Sequence, residues 1–229
     1  MAPNVEVYAF DWIDNYSELQ AEAEGLLASN HSYTPHFGFE PIWDAGVEKT
    51  VWIGPKNLVE HPQFGKYSED SARTDEILAA AGQHTMVVAA GNTRYFHDSE
   101  LGVGETIDVG DRYYYVDDAV NYHHFNHEHY AQDGYDTLAS GPTTAKNSLT
   151  VGAVYDQFAP ADTRTTWFSS WGPTDDGRLK PEIVADGWQA YGPGEDADDD
   201  YVSPPEDGTS FAAPVVTGGV ALLGELFLQ

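Results

Sequence analysis

The sequence of 229 residues contains no cysteine, which excludes disulfide bonds and thiolate metal sites and leaves the redox compartment open. It also lacks a run of about 18 consecutive apolar residues, so we expect no membrane-spanning helix and no membrane partner. Residues 1–12 lack the basic and apolar regions of a signal peptide. These absences leave the compartment of the protein undecided.

Basic residues are few: 10 Lys and Arg stand against 38 Asp and Glu, for a net charge of −28. Such a chain repels phosphates, which excludes nucleic acids as partners. Two interpretations remain. The charge keeps a secreted acidic protein soluble, or it adapts the protein to high salt, where carboxylates hold hydration water and salt screens their repulsion. We favour the second, halophilic interpretation, which predicts that the protein loses structure when salt is removed.

The apolar pattern alternates between strand and helix. Three short apolar segments predict buried strands: residues 5–10, which have an alternating character, and residues 85–90 and 149–154. Three segments with helical spacing predict helices, at 16–29, 71–81 and 211–228. Asn15 and Ser71 are the expected caps of the first two helices, and Gly82 ends the second. Residues 35–68 and 93–145 are predicted to be loop. The alternation predicts an α/β fold with a mostly parallel sheet and helices on both faces.

The strongest motif is G-T-S-F-A-A-P at 208–214, followed by an apolar helix. It places the Ser210 hydroxyl at a helix N-terminus, where free N–H groups and the helix dipole favour negative charge. A nucleophilic serine requires this setting because its attack on a carbonyl creates an oxyanion. For an isolated Thr-Ser pair, a helix cap would be the ordinary interpretation.

A second motif, V-V-A-A-G-N at 87–92, is a buried strand that ends in a glycine and a side-chain amide. Catalytic groups gather at the carboxyl ends of parallel strands, and the Asn92 amide can donate to an oxyanion. Taken alone, this motif would indicate a plain turn asparagine.

Together the two motifs resemble the subtilase family of serine endopeptidases, whose nucleophile lies in G-T-S-x-A-x-P and whose oxyanion asparagine ends a strand as A-A-G-N. Five further segments are similar to the family in the same order, and the likeness covers nearly the whole chain: A-P-N at 2–4, N-H-S-Y at 30–33, T-A-K-N-S-L-T-V-G-A-V at 144–154, F-S-S-W-G at 168–172 and K-P-E-I-V-A-D-G at 180–187.

The resemblance implies a subtilisin-like fold in which Ser210 is the nucleophile and Asn92, with the Ser210 N–H, forms the oxyanion hole, supported by Thr209. It also implies two edges that bind a peptide or protein substrate by strand addition: Ser32, Tyr33 and Thr34 on one side, and Ala89, Ala90 and Gly91 on the other. Thr34 stands where the family usually has glycine, which narrows the entrance to the pocket for the side chain preceding the scissile bond.

A serine mechanism also needs a histidine base and an orienting carboxylate. The family carries them in D-[ST]-G and H-G-T-H motifs, and neither motif occurs in this sequence. We therefore expect residues 1–229 to be a partial catalytic domain, incomplete at its N-terminus and inactive alone, from a parent that resemblance places outside the cell. The alternative is a catalytically dead peptide-binding module. A sedolisin-type acid peptidase is disfavoured, because that family has Asp where Asn92 stands.

Two clusters could hold metal ions. The histidines at 123, 124, 127 and 129 have spacing that could suit Zn or Ni, and the acidic run at 195–200 could hold Ca²⁺. The favoured interpretation of both is a solvated loop, so no metal site is assigned and no cofactor is required, with Ca²⁺ left unassigned. A catalytic base among these histidines is disfavoured, and the oligomeric state stays open.

Overall fold

The computed structural model describes residues 5–10, 15–35, 37, 39–44, 47–52, 61–94, 106–109, 112–115, 137–155, 163–192 and 205–227. The helices are α1 (Asn15–Glu22), α2 (Glu69–Ala81) and α3 (Thr209–Phe227), with 3₁₀ turns at Ala23–Gly25 and Pro142–Thr144. The strands are β1 (Ala28–His31), β2 (Phe39–Asp44), β3 (Val47–Trp52), β4 (Thr85–Ala89), β5 (Thr106–Val109), β6 (Arg112–Tyr115), β7 (Leu149–Val154) and β8 (Ile183–Asp186).

Four of these strands form one parallel sheet in the order β1-β4-β7-β8. Its register places Ala28 opposite Thr85, Val87 opposite Leu149, and Val151 opposite Ile183. The other strands pair as two antiparallel hairpins, β2 with β3 and β5 with β6. The predicted α/β fold with a mostly parallel sheet and packed helices is confirmed.

The central strands β4 and β7 of this sheet are buried because both of its faces carry apolar side chains there. Along β4, alternate residues belong to different layers, as period-two geometry requires. Val87 and Ala89 pack with Ala212 and Ala213 of α3. Met86 and Val88 instead join the cluster formed by α1, α2 and the turn between α1 and β1. This arrangement explains why β4 and β7 appear in the sequence as continuous apolar runs.

Helix α2 begins two residues before the predicted start, because its cap is Ser68 and not Ser71. The Ser68 hydroxyl accepts from the Ser71 N–H at 3.3 Å, and the Ser71 hydroxyl accepts from the Ser68 N–H at 3.0 Å. This reciprocal pair satisfies two of the free donors of the first turn. Gly82 follows the last turn with φ of 73°, which confirms it as the residue that ends the helix.

Other predictions from the pattern were wrong. Residues 5–10 pair with no described strand and are exposed, Val7 by 83%, so this apolar run is not a buried strand. Helix α1 ends at Glu22 and not at residue 29, because the chain turns to start β1 at Ala28. The regions 35–68 and 93–145 contain the two hairpins. The alternation V-E-K-T-V-W in β3 is a strand pattern that the loop assignment overlooked.

Helix α3 is the one helix among the described residues whose length and composition would allow it to cross a membrane. The absence of a long unbroken apolar run in the sequence therefore did not exclude such a segment. α3 packs against all four strands of the parallel sheet, and its buried residues are Thr209, Ala212 and Ala213. We interpret α3 as the central helix of this fold.

Candidate active site

The carboxyl end of β4 and the first turn of α3 meet at one point. After Ala89 the chain passes through Ala90 and Gly91 to Asn92, and Gly91 has φ of 103°, a conformation that favours glycine. A side chain at Gly91 would also begin only 3.2 Å from Ser170 Oγ. The glycine of the second motif is therefore required both by its backbone angle and by the space around it.

Asn92 and Thr209 are joined by a compact set of hydrogen bonds. Asn92 Oδ1 accepts from both the N–H and the hydroxyl of Thr209, each at 2.9 Å. The Thr209 hydroxyl in turn accepts from the Gly91 N–H at 3.0 Å. Because both bonds occupy the oxygen of the Asn92 amide, its NH₂ group is oriented as the donor for another partner. Asn92 Nδ2 lies close to the backbone before Ser210, 3.3 Å from the position of a β-carbon at Gly208.

Ser210 and Ser32 exchange hydrogen bonds between side chain and backbone. The Ser210 hydroxyl donates to the Ser32 carbonyl at 3.0 Å, and the Ser32 hydroxyl donates to the Ser210 carbonyl at 2.8 Å. In a regular helix the Ser210 carbonyl would accept from the N–H of the residue at position 214. That residue is Pro214, which has no N–H, so the Ser32 hydroxyl supplies the missing donor. This exchange ties the segment after β1 to the first turn of α3.

All nine residues predicted for the site lie in the described part of the chain, at adjoining ends of three elements. Ser32, Tyr33 and Thr34 follow β1, Ala89 to Asn92 end or follow β4, and Thr209 and Ser210 start α3. Because β1 and β4 are parallel neighbours, the two predicted substrate edges leave the sheet side by side. Thr34 Oγ1 lies 3.6 Å from the position of a β-carbon at Gly91, so the Thr34 side chain occupies the gap between the edges.

His31 precedes Ser32, the residue that bonds to Ser210, but the His31 side chain lies on the other side of the strand. Asn30 accepts from Thr217 of α3 at 3.1 Å, so Asn30 and Ser32 face α3. His31, which alternates with them, bonds to Ser29 and Tyr33. Burial, aided by the nearby His84, lowers the pKa of His31 to about 4. His31 therefore stays uncharged at neutral pH and is not directed at the Ser210 hydroxyl.

The predicted metal clusters at 123–129 and 195–200 lie outside the described residues. Within the described ranges, no group of three or more His, Cys, Asp or Glu side chains is placed to hold a metal ion.

Two features of the site were not predicted. Ser170, part of the F-S-S-W-G segment, donates its N–H to the Gly91 carbonyl at 2.8 Å, and its Oγ accepts from the Thr93 N–H at 3.3 Å. It braces the turn that carries Asn92. A buried set of polar side chains around His31 was also missed. The alternation of Ser29, His31 and Tyr33 was the available signal, since it places three polar residues on one face of a strand.

Comparison with known proteins places these features in a family. The model of the Subtilase family matches residues 4–229. A serine protease/ABC transporter B family protein, tagB, of Dictyostelium discoideum is 31% identical over 237 residues, covering 83% of this chain and 12% of the relative. An uncharacterised protein of Aquifex aeolicus is 37% identical over 114 residues, covering 42% of this chain and 51% of the relative.

Three solved structures also resemble the chain. The CspB protease of Clostridium perfringens shares 30% identity at a TM-score of 0.33, over 40% of this chain and 18% of its own. Sphericase shares 17% sequence identity with this chain at a TM-score of 0.44, and the match covers 73% of this chain and 42% of sphericase. MycP1 from the ESX-1 type VII secretion system shares 23% sequence identity with this chain at a TM-score of 0.38, and the match covers 69% of this chain and 35% of MycP1. The chain spans about half or less of each of these relatives.

Proposed function

Because this chain belongs to the subtilase family, we propose that it carries the nucleophile and the oxyanion-binding groups of a serine endopeptidase. Ser210 is the proposed nucleophile, and the Asn92 amide and the Ser210 N–H are the proposed oxyanion donors. The observation that carries the proposal is the set of bonds through Thr209, which occupies the Asn92 oxygen and leaves the NH₂ as donor beside the Ser210 backbone.

In the proposed reaction, Ser210 Oγ attacks the carbonyl carbon of the scissile peptide bond while a base takes the hydroxyl proton. The carbonyl oxygen becomes negatively charged and accepts hydrogen bonds from the two donors. Collapse of this intermediate breaks the C–N bond, the amine leaves with the proton, and an acyl ester remains on Ser210. Water then hydrolyses the ester, and no cofactor is required.

The proposed substrate lies as an added strand between the edges 32–34 and 89–91. The position of Thr34 supports a narrow pocket for the side chain that precedes the scissile bond, since Thr34 fills space next to Gly91. We therefore assign small side chains, such as alanine, to this position of the substrate.

The sequence lacks the H-G-T-H motif that carries the base in this family, and for this reason we propose that the chain alone does not turn over peptides. The Ser210 hydroxyl donates to a main-chain carbonyl, which cannot take its proton. Helix α3 also leaves an apolar face exposed, which supports an active unit with further polypeptide covering α3 and supplying the base and carboxylate. The exposed residues of this face are Val215, Leu222, Leu223, Leu226 and Phe227. Residues 1–229 would then be one part of the catalytic domain.

The test compares peptide hydrolysis by three proteins: this chain, its Ser210→Ala variant, and the product of the whole gene. We expect equal background rates from the first two, and turnover by the gene product that Ser210→Ala abolishes. Turnover by the chain itself that the substitution removes would contradict the missing-base argument. A gene product without Ser210-dependent turnover that still binds peptide would favour the dead peptide-binding module.

A further inference from the structure

A continuous row of hydrogen-bonded polar groups lies beneath the segment that follows β1. His84 Nδ1 is 3.0 Å from the Leu26 carbonyl, and His84 Nε2 is 2.8 Å from Ser29 Oγ. The same Ser29 oxygen is 2.8 Å from His31 Nε2. His31 Nδ1 is 2.7 Å from the Tyr33 hydroxyl, which accepts from the Asn15 amide at 3.1 Å. We call these groups, from Leu26 to Asn15, the histidine row.

Only one arrangement of protons satisfies the histidine row when both imidazoles are neutral. The Leu26 carbonyl can only accept, so His84 carries its proton on Nδ1 and accepts at Nε2 from the Ser29 hydroxyl. Ser29 then accepts from His31, which carries its proton on Nε2. His31 Nδ1 accepts from the Tyr33 hydroxyl. Adding a proton to His84 Nε2 or His31 Nδ1 turns that nitrogen from an acceptor into a donor, so the Ser29 or Tyr33 hydroxyl that faces it must direct its own proton elsewhere, and this order is lost.

The histidine row and the proposed catalytic groups lie on opposite faces of the same short segment. Ser29, His31 and Tyr33 hold one face, while Ser32 on the other exchanges hydrogen bonds with Ser210. Fixing the row therefore fixes the direction of the Ser32 carbonyl and the position of the substrate edge 32–34. β1 is also an edge strand, paired only with β4 in the described sheet, so side-chain bonds are needed to hold its end in place.

We propose that Ser29, His31 and His84 are positioning residues that align the substrate edge 32–34 with Ser210, and that adding a proton to His31 or His84 releases this alignment. The proposal rests on the function proposed above for Ser210 and the two edges. It assigns acid sensitivity to residues that do not touch the substrate or the reacting atoms.

The surroundings of the row favour the uncharged rings. Burial lowers the pKa of both histidines, and His84 lowers that of His31 further. The charge of the Glu18 carboxylate of α1 acts on the Tyr33 hydroxyl. Glu18 Oε2 is buried without a hydrogen-bond partner in the described structure. Tyr16 of α1 also lies on this face, and the charges of Asp70 and Arg73 of α2 act on its hydroxyl. On the opposite face, α3 has no charged residue before Glu225, and β4 has none. 

The first test determines the protons directly and needs no activity. Nitrogen-15 NMR of the 229-residue chain at pH 7 should show His84 with its proton on Nδ1 and His31 with its proton on Nε2. On acidification, the backbone amide signals of residues 32–34 and of Ser210 should shift with the same midpoint as the His31 ring. The opposite tautomers, or amide signals that do not follow the ring, would overturn the proposal.

The second test measures binding of a peptide without titratable groups, acetyl-tetra-alanine amide, by NMR titration. Affinity should fall about twofold from pH 7 to pH 4, where half of His31 is protonated. His31→Gln retains a donor and an acceptor but cannot gain a proton, so its affinity should change less over this range. Tyr33→Phe should weaken binding about tenfold at pH 7, because it removes the donor to His31.

Tyr8→Phe is the matched control, since the Tyr8 hydroxyl is exposed and bonds only to Glu6 in the described structure. Its affinity should equal that of the unaltered chain. Equal pH dependence in His31→Gln and the unaltered chain, or equal affinity in Tyr33→Phe and Tyr8→Phe, would refute the positioning role. If the peptide binds none of the proteins, the proposed substrate edges fail, and the NMR protonation experiment still decides the histidine row by itself.

Discussion

Replacing Thr209 by valine tests how strongly the Asn92–Thr209 contact holds the site together. Thr209 is fully buried, and valine has nearly its shape without the hydroxyl. The change leaves the buried Gly91 N–H without its acceptor at 3.0 Å, which costs about 1–3 kcal/mol. It also removes the donor to Asn92 at 2.9 Å, worth about 1 kcal/mol. The expected loss in the free energy of unfolding is about 2–4 kcal/mol.

The assay is urea denaturation followed by tryptophan fluorescence and circular dichroism, with equal slopes required for the comparison. Thr217→Val on the same helix is the control. The Thr217 hydroxyl is half-buried and donates to Asn30 and to the Ala213 carbonyl, so its loss should cost about 1 kcal/mol or less. If Thr209→Val destabilises the protein no more than Thr217→Val does, the hydroxyl of Thr209 does not brace the site.

Three further predictions concern stability. Gly187→Ala should prevent normal folding, because its β-carbon would lie 2.6 Å from the Gly208 carbonyl and 2.7 Å from Ala153 Cβ; a melting temperature within a few degrees of the unaltered chain would disprove this crowding. Because the folded pKa of His31, about 4, lies below its unfolded value of 6.5, stability should fall by about 3 kcal/mol as pH drops from 6.5 to 4. The His31→Gln variant should not show this fall of about 3 kcal/mol, because glutamine does not take up a proton. Equal loss of stability in the variant and the unaltered chain over this pH range would contradict the prediction. The net charge of −28 predicts a higher melting temperature in 2 M than in 0.1 M NaCl on the halophilic interpretation, on the order of ten degrees, and equal values would count against it.

The elements that could be predicted from the sequence are those whose pattern is local. Strand β7 was predicted at its observed bounds, and β4 within one residue, because strands buried on both faces are continuous apolar runs. Helix α3 was predicted because the G-T-S motif opens directly into an apolar helix. The same kind of pattern gave a wrong prediction for residues 5–10. An apolar run shows that burial is favourable, but it does not show whether a neighbouring strand is present to pair with it.

The parts of the site that could not be predicted depend on residues far apart in the chain. Ser32 donates to the carbonyl that Pro214 leaves free across 178 residues, and no local pattern reveals that meeting. His84 reaches Ser29 across 55 residues. The motifs identified Ser210 and Asn92 as candidates, and the resemblance implied that Thr209 supports them. The two hydrogen bonds from Thr209 to the Asn92 oxygen could not be predicted, because they depend on β4 and α3 meeting in the fold.

The measurement that tests the central claim most directly is a crystal structure of this chain with a peptidyl boronic acid. The boronic acid forms a tetrahedral adduct that imitates the proposed intermediate. We predict a covalent bond from Ser210 Oγ to boron, with one boronate oxygen accepting from Asn92 Nδ2 and the peptide lying between the edges 32–34 and 89–91. A boronate bound elsewhere, or one at Ser210 whose oxygens point away from the Asn92 amide, would contradict the assignment.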